Sequence, residues 1–278
     1  MKIGLVLLLF VDSSVVVGEV VLDFSKDCPQ FFAKPNGQVS PPTVFPGNQY
    51  RQICQRQANQ KMSEFATLYD TANRIPVYSA YEYVGRAPCN RMDVWYIEPQ
   101  LDDQNKGPDM QSDTSSTLPK PPRGNNQALN EDYVNSGYDK GHLYSVFHTN
   151  KQSCADSTFT LTNAAPQNPP FNRGQWRKME SDVVEIFRSK CSQNRAYVVT
   201  GVVPSTGNTK ILVKNRVNVP SHFWSAYCCL DNNNQSISSG GYLAPNSNQM
   251  PTNVTVNILE QRLTKLYAIN FVLFGGMC

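Results

Sequence analysis

The chain holds three histidines, His142, His148 and His222. Imidazole changes charge near neutral pH, so a proton-transferring site built on it has few candidates here. His142 stands in the run Ser136-Gly137-Tyr138-Asp139-Lys140-Gly141-His142-Leu143. Gly141 removes side-chain bulk beside it and lets a backbone or a substrate come close. Asp139 and Lys140 place both charge signs next to it, and Asp139 fits either a hydrogen-bonding role within the sheet or a part in catalysis. His148 and His222 have no recognisable partners and read as structural. Further on come Thr160-Leu161-Thr162-Asn163-Ala164-Ala165-Pro166-Gln167, Phe171-Asn172-Arg173-Gly174-Gln175-Trp176 and Glu180. A strand carrying the histidine, a second strand ending at Asn163 and a helix opening at Asn172 make a ββα unit, with His142 opposite the helix start. Taken alone, Asn172 is an N-cap and Trp176 a core residue. Arg173, Arg177 and Lys178 form a basic cluster beside this unit. Such clusters are usually solvated faces, and this one also suits a phosphate backbone. Walker loops and the GxSxG, HExxH, EF-hand and GxGxxG patterns are absent.

Three spaced segments carry a specific resemblance. Asp139-Lys140-Gly141-His142, Asn163-Ala164-Ala165-Pro166-Gln167 and Asn172-Arg173-Gly174-Gln175-Trp176-Arg177-Lys178-Met179-Glu180 resemble the ββα-metal motif of the DNA/RNA non-specific endonuclease family. That motif reads Asp-Arg-Gly-His, Asn-x-x-Pro-Gln and Asn-x-x-x-Trp-x-x-x-Glu. Arg74-Ile75-Pro76-Val77-Tyr78-Ser79-Ala80-Tyr81 resembles the family's upstream strand, and the matching region runs from about Cys54 to the C-terminus. Within the family the chain is most similar to the secreted endonuclease-domain-containing proteins of vertebrates. The resemblance implies a metal-dependent nuclease that hydrolyses phosphodiester bonds of DNA or RNA without sequence specificity. It implies His142 as the general base that activates water. It implies Asn172 as the one direct protein ligand of Mg²⁺ or another divalent cation, and Mg²⁺ keeps several of its waters when bound. Asn163 and Glu180 would then support the ion through those waters, since Glu180 lies eight residues from Asn172, about 12 Å along an ideal helix. Arg173 and Arg177 would hold the nucleic-acid backbone.

Two positions depart from the family pattern. Lys140 stands where arginine is usual, which keeps the charge and loses the two-pronged fork. Glu82 stands where secreted bacterial members carry an arginine, with Arg86 or Arg91 as compensating cations. These departures motivate a second reading, a nuclease-fold protein of little or no activity that binds nucleic acid or an extracellular protein partner.

The elements that must position these residues follow from periodicity and turn chemistry. Glu64 to Asp70 and Ile75 to Tyr83 read as a hairpin about Asp70-Thr71-Ala72-Asn73. Val94 to Ile97 is a further short strand, and residues 99–128 read as a long surface excursion. Tyr138 to Ser145 and Ser157 to Thr162 read as strands, the second from the alternation Thr158-Phe159-Thr160-Leu161-Thr162. Trp176, Met179, Val183 and Phe187 then fall on a helical stripe within Asn172 to Lys190, with Pro169-Pro170 closing the loop before it. Tyr197 to Val203, Phe223 to Cys229, Gly241 to Ala244 and Ala268 to Phe274 read as strands. Val254 to Tyr267 reads as a helix with Val256, Leu259, Leu263 and Leu266 on one face. The mixed order predicts an α+β fold with a central, mainly antiparallel sheet.

Composition sets the frame. A 40% hydrophobic content excludes a disordered chain, and a net charge of +3 over 278 residues is too small to argue for nucleic acid by itself. Residues 1–18 read as a signal peptide, with Lys2, an apolar run from Leu5 to Val11 and a small-residue cleavage site. Residues 19–48 read as an extended N-terminal segment anchored by Cys28, and 49–278 as the endonuclease domain. No later apolar run is long enough to span a bilayer. The chain therefore reads as secreted, or delivered to a vesicular lumen. All 8 cysteines follow the cleavage site, an even count that suggests disulfides. Zinc needs close CxxC or CxxH ligand pairs, and the only close pair in the sequence is the adjacent Cys228-Cys229, whose side chains point to opposite faces of a strand. Asn234-Gln235-Ser236 and Asn253-Val254-Thr255 are glycosylation sequons.

Overall fold

The structure is a computed structural model that describes residues 20–57, 62–114, 118–192 and 195–278. The expected signal peptide, 1–18, lies outside the described residues.

A central antiparallel sheet is built from β1 (Val20–Val21), β2 (Tyr50–Gln55), β3 (Phe65–Asp70) and β4 (Ile75–Tyr83). A second, smaller hairpin, β5 (Asp139–His142) and β6 (Ala164–Gln167), stands apart from it. The sheet resumes with β7 (Arg195–Pro204), β8 (Pro220–Leu230), β9 (Ser236–Pro245) and β10 (Thr252–Val254). Its spatial order is β1-β2-β3-β4-β7-β8-β9-β10. The expected hairpin of β3 and β4 forms because the Asp70 carboxylate accepts from the Ala72 and Asn73 amides at 2.9 and 3.1 Å, which closes the turn.

The middle strands are covered on both faces, so their side chains divide by parity. Phe223, Tyr227 and Cys229 of β8 join one core, with Tyr81, Val198 and Trp176. Trp224, Ala226, Cys228 and Leu230 join the other, with Tyr78, Val199, Leu259 and Phe271. The first core carries the β5–β6 hairpin and helix α2 (Arg177–Lys190), whose Met179, Val183 and Phe187 are buried as the stripe requires. The second is covered by helix α3 (Val256–Tyr267) and the N-terminal segment. Disulfides Cys28–Cys54, Cys191–Cys229 and Cys228–Cys278 clamp the sheet, and the adjacent cysteines of β8 do point to opposite layers. Cys89 and Cys154 are free thiols. No helix among the described residues is long and apolar enough to cross a membrane.

Four local expectations are corrected. Ser157 to Thr162 is not a strand: a helix, Gln152–Ser157, is followed by a tight turn at Leu161–Asn163, and the partner of β5 begins at Ala164. The threonine hydroxyls bond back to backbone carbonyls, Thr158 to Ala155 at 2.7 Å and Thr160 to Tyr96 at 3.3 Å, in place of a ladder. Ala268 to Phe274 is irregular, because Ala268 turns left-handed (φ 55°) at the end of α3, although Phe271, Leu273 and Phe274 are buried as expected. Leu266 is exposed, leaving Val256, Leu259 and Leu263 as the buried face of α3. Residues 99–128 are not wholly superficial. Asp102 accepts from the Gly124 and Asn126 amides at 2.7 Å each, and Leu101, Met110 and Gln127 are buried.

Candidate active site

The β5–β6 hairpin brings the first two motif segments together in register: Asp139 faces Gln167, Lys140 faces Pro166, Gly141 faces Ala165 and His142 faces Ala164. Gly141 is required here by a close approach of protein rather than of substrate. A Cβ at this position would sit 2.2 Å from Gln167 Oε1 and 2.6 Å from Gln167 Cβ.

The third segment does not begin where the sequence suggests. Asn168 is the N-cap, its side chain accepting from the Phe171 amide at 3.1 Å, and Pro169-Pro170 occupy the first helical positions instead of ending the loop. Asn172 therefore lies inside the helix, at the start of a wider π turn, Asn172–Trp176, that leads into α2. Such turns recur at functional sites. This one sets Asn172 and Arg173 facing β5.

Asp139 organises both. Its Oδ2 accepts from Asn172 Nδ2 and from Arg173 Nε at 2.9 Å each, and its Oδ1 accepts from Arg173 Nη2 at 2.6 Å. A carboxylate only accepts, so the amide atom of Asn172 that faces it must be nitrogen. The opposite branch, Oδ1, is an oxygen donor with no protein partner among the described residues. One neutral oxygen, held in orientation and facing a cleft, fits a hydrated Mg²⁺, which demands few protein ligands. Among the described residues no group of three His, Cys, Asp or Glu side chains gathers to form a richer metal site.

A cleft of about 980 Å³ opens over this arrangement. Lys140, His142, Asn172, Arg173, Arg177 and Glu180, six of the residues expected from sequence, all line it, together with Arg86 and Arg91. Five cations thus face two carboxylates, Asp139 and Glu180, and the field favours an anionic ligand. Arg86 lies 3.9 Å over the Phe147 ring and Arg91 5.2 Å over Phe159, which holds both guanidinium groups by cation–π contact. Glu82 instead pairs with Arg195 at 2.9 Å and is not a cleft residue. Lys178, the third member of the basic cluster, pairs with Asp182 at 2.7 Å outside the cleft.

The ring of His142 packs against Trp95 and Phe159, at 5.0 and 4.8 Å between centroids. Its Nε2 is buried with no hydrogen-bond partner. Burial, reinforced by the charges of Arg91 and Lys140, pushes this histidine down to about 3, so the imidazole is neutral at neutral pH. Burial pushes Glu180 up to about 7, against the opposing pull of the Ser145 hydroxyl, Arg91 and Arg177. Burial also lowers the ammonium of Lys140, with Asp113 acting the other way.

Asn163 stands apart from the other expected site residues. It is wholly buried, and all four hydrogen-bonding positions of its amide are taken by protein. Oδ1 accepts from Ser79 Oγ at 2.8 Å and from the Tyr144 amide at 2.9 Å, while Nδ2 donates to the carbonyls of Tyr144 and Thr158 at 3.1 and 3.0 Å. No position is left for the waters of an ion. Asn163 joins β4 to the end of the His142 strand, and its influence on the cleft is through that strand.

A family model described as DNA/RNA non-specific endonuclease matches residues 47–271. The chain belongs to that family. Two relatives place this family member further. It is 31% identical over 266 residues to the human "Endonuclease domain-containing 1 protein", covering 95% of this chain and 49% of that one. It is 29% identical over 170 residues to human mitochondrial endonuclease G, covering 58% of this chain and 56% of the other. The endonuclease-family chain thus spans about half the length of these curated relatives. In fold it resembles the EndoG of a solved EndoG/EndoGI complex, with a TM-score of 0.54 at 23% identity over 84% of this chain and 89% of that one.

Sequence reasoning missed the support beneath the cleft. His148 is structural as expected, but it has partners: its Nε2 bonds the carbonyl of Glu180 at 2.9 Å and its Nδ1 the hydroxyl of Tyr81 at 2.7 Å. A carbonyl only accepts, so Nε2 carries the proton and Nδ1 accepts from tyrosine. Tyr81 stacks on Tyr144 at 3.7 Å. This column ties α2 at Glu180 to β4. Asn130, which receives the ammonium of Lys140 on its Oδ1, was also missed, and no sequence signal marks it.

Proposed function

We propose that the protein is a divalent-metal-dependent nuclease that hydrolyses phosphodiester bonds of DNA or RNA without sequence specificity. The observation that carries the reading is the meeting, in one cationic cleft, of a neutral His142 with the oriented and unpartnered Oδ1 of Asn172. In this reading His142 takes a proton from a water as that water's oxygen bonds phosphorus in line with the departing sugar oxygen. The anionic phosphodiester beside the ring counters Arg91 and Lys140 and makes the imidazole a stronger base than it is in the free protein. Asn172 would hold Mg²⁺, which would supply positive charge to the phosphodiester. Glu180 would support the ion through its waters, and Arg86, Arg91, Arg173 and Arg177 grip the backbone by charge without reading bases. Asn163 keeps the His142 strand seated on β4. Residues 1–18 direct export, and Asn234 and Asn253 carry glycans.

The test is cleavage of plasmid DNA and of RNA by the purified protein, with Mg²⁺ or with EDTA. Wild type cuts only with the metal. His142→Ala loses about 10²–10⁴-fold in turnover, the range of general-base catalysis, while binding a short duplex in EDTA as wild type does. A wild type that binds with steep salt dependence and never cuts, or a His142→Ala variant that cuts normally, overturns the proposal.

A further inference from the structure

Lys140 is a poor substitute for a guanidinium, because an ammonium is a point charge and cannot present two parallel N–H groups to a phosphate. The structure places a second donor beside it. Lys140 Nζ donates to Asn130 Oδ1, and both residues line the cleft. An ammonium has no lone pair, so the Asn130 atom facing it must be the oxygen. The other branch of the amide, Nδ2, then has two N–H groups that no protein acceptor takes among the described residues. The pair is held from behind. The Asn130 backbone amide donates to Asp113 Oδ2 at 2.7 Å, and Lys140 Nζ lies 4.8 Å over the Trp95 ring and 5.9 Å from that of Tyr133. Asn130 comes from a short helix, Asn130–Tyr133, ten residues from Lys140 in the chain.

We infer that Asn130 and Lys140 act as one composite phosphate fork, in which the Asn130 amide supplies a neutral N–H donor and Lys140 the charge. The ligand is a phosphodiester oxygen pair, and only that identity rests on the nuclease reading. In this arrangement Asn130 does two things. Its oxygen fixes where the ammonium sits, and its nitrogen gives the second bond that lysine alone lacks. The side chain is not needed to hold its own helix, since the anchor to Asp113 runs through the backbone.

The experiment is a double-mutant cycle between position 130 and position 140. Asn130→Ala and Asn130→Asp are made in the wild-type background and with Lys140→Arg. Binding of a fluorescent oligonucleotide is read by anisotropy in EDTA, and cleavage is read separately with Mg²⁺. In the wild-type background Asn130→Ala weakens binding and lowers cleavage by about tenfold, the effect of one phosphate hydrogen bond. Asn130→Asp costs more, because it neutralises Lys140 and adds an anion to the cleft. With Lys140→Arg the loss on Asn130→Ala shrinks to under about threefold, since the guanidinium supplies both prongs. Equal losses in the two backgrounds, or Asp tolerated as well as Ala, overturn the fork; so does a folded wild type that fails to bind. A wild type that binds and does not cut sinks the nuclease reading alone, because the cycle is still read from binding. Asn130→Asp preserves volume and guards against an Ala variant that misfolds.

Discussion

Replacing Asp139 by alanine tests how the orientation of Asn172 is set. Asp139 makes three hydrogen bonds, one to Asn172 and two to Arg173. The Arg173 side chain is 73% exposed, so losing that solvent-screened ion pair costs the fold little. The bond to Asn172 has a different consequence. It alone decides which branch of the amide faces the cleft, and a hydrogen bond to a charged group is worth about 1.5–3 kcal/mol. At about 1.4 kcal/mol per factor of ten, its loss lowers the ratio of correctly turned to misturned Asn172 by about ten- to a hundredfold, so an orientation that was nearly fully populated becomes one rotamer among several. Asp139→Ala is therefore expected to lose up to about 1.5–3 kcal/mol in urea melts and to cleave plasmid several-fold more slowly at low Mg²⁺. Part of the loss returns at high Mg²⁺, which selects the oxygen-in orientation by mass action. Arg173→Ala leaves the Asp139–Asn172 bond in place and is expected to cost only a few-fold, as a lost backbone contact. Cleavage by Asp139→Ala at the wild-type rate across the Mg²⁺ series would refute the orientation argument. So would an Arg173→Ala variant whose loss is relieved by Mg²⁺ to the same extent as that of Asp139→Ala.

Three further outcomes follow from the same structure. Burial holds His148 neutral, pushed down to about 4, so between pH 6.5 and 4 the unfolded chain binds a proton that the native state does not. Stability from this group is present above its ordinary value and is lost as pH falls, by about 2 kcal/mol between pH 6.5 and 5; urea melts of wild type and His148→Gln should diverge at pH 7.5 and converge toward pH 5. Iodoacetamide should modify Cys89 in the native protein and Cys154 only after unfolding, because Cys154 is buried beside the Tyr144 hydroxyl at 3.1 Å and its thiol is pushed up to about 12. Non-reducing mass spectrometry that found eight free thiols would contradict the three disulfides. Gly141→Ala must displace Gln167 and should cost about 1–3 kcal/mol, read as a lower urea midpoint, and an unchanged midpoint would mean that the hairpin register is wrong.

The sequence was informative where local chemistry and tertiary demand agree. Strands β3, β4, β7 and β8 carry the aromatic and β-branched residues that a sheet covered on both faces needs, and the stripe of α2 shows its buried side directly. The residues His142, Lys140, Asn172, Arg173, Arg177 and Glu180 are named from the resemblance and the local basic cluster, and they share one cleft because each lies on β5, the π turn or α2, and those elements meet. Thr158 to Thr162 misled because alternation is also produced by threonines whose hydroxyls return to the backbone. The surroundings of Asn163 were illegible because its four hydrogen bonds go to Ser79, Tyr144 and Thr158, and an asparagine's partners cannot be read from its neighbours. Asn130 and the Tyr81–His148 column were illegible for the same reason, the column joining residues 67 positions apart.

The placement of the disulfides has a further consequence. Cys28–Cys54, Cys191–Cys229 and Cys228–Cys278 enclose the two ends of the chain. Every residue that lines the cleft lies between Arg86 and Glu180, in the stretch that none of these three bridges encloses. The chain thus has two separately bridged ends, 28–54 and 191–278, and between them an insert that no bridge crosses. A single cut in the turn at 231–235 leaves its two pieces joined through Cys228–Cys278, whereas a single cut within the insert leaves pieces joined by no bond. In the nuclease reading, a nucleic-acid strand that forces the cleft wider works only against packing and hydrogen bonds, while the pairing of β4 with β7 in the central sheet keeps the two ends of the insert together.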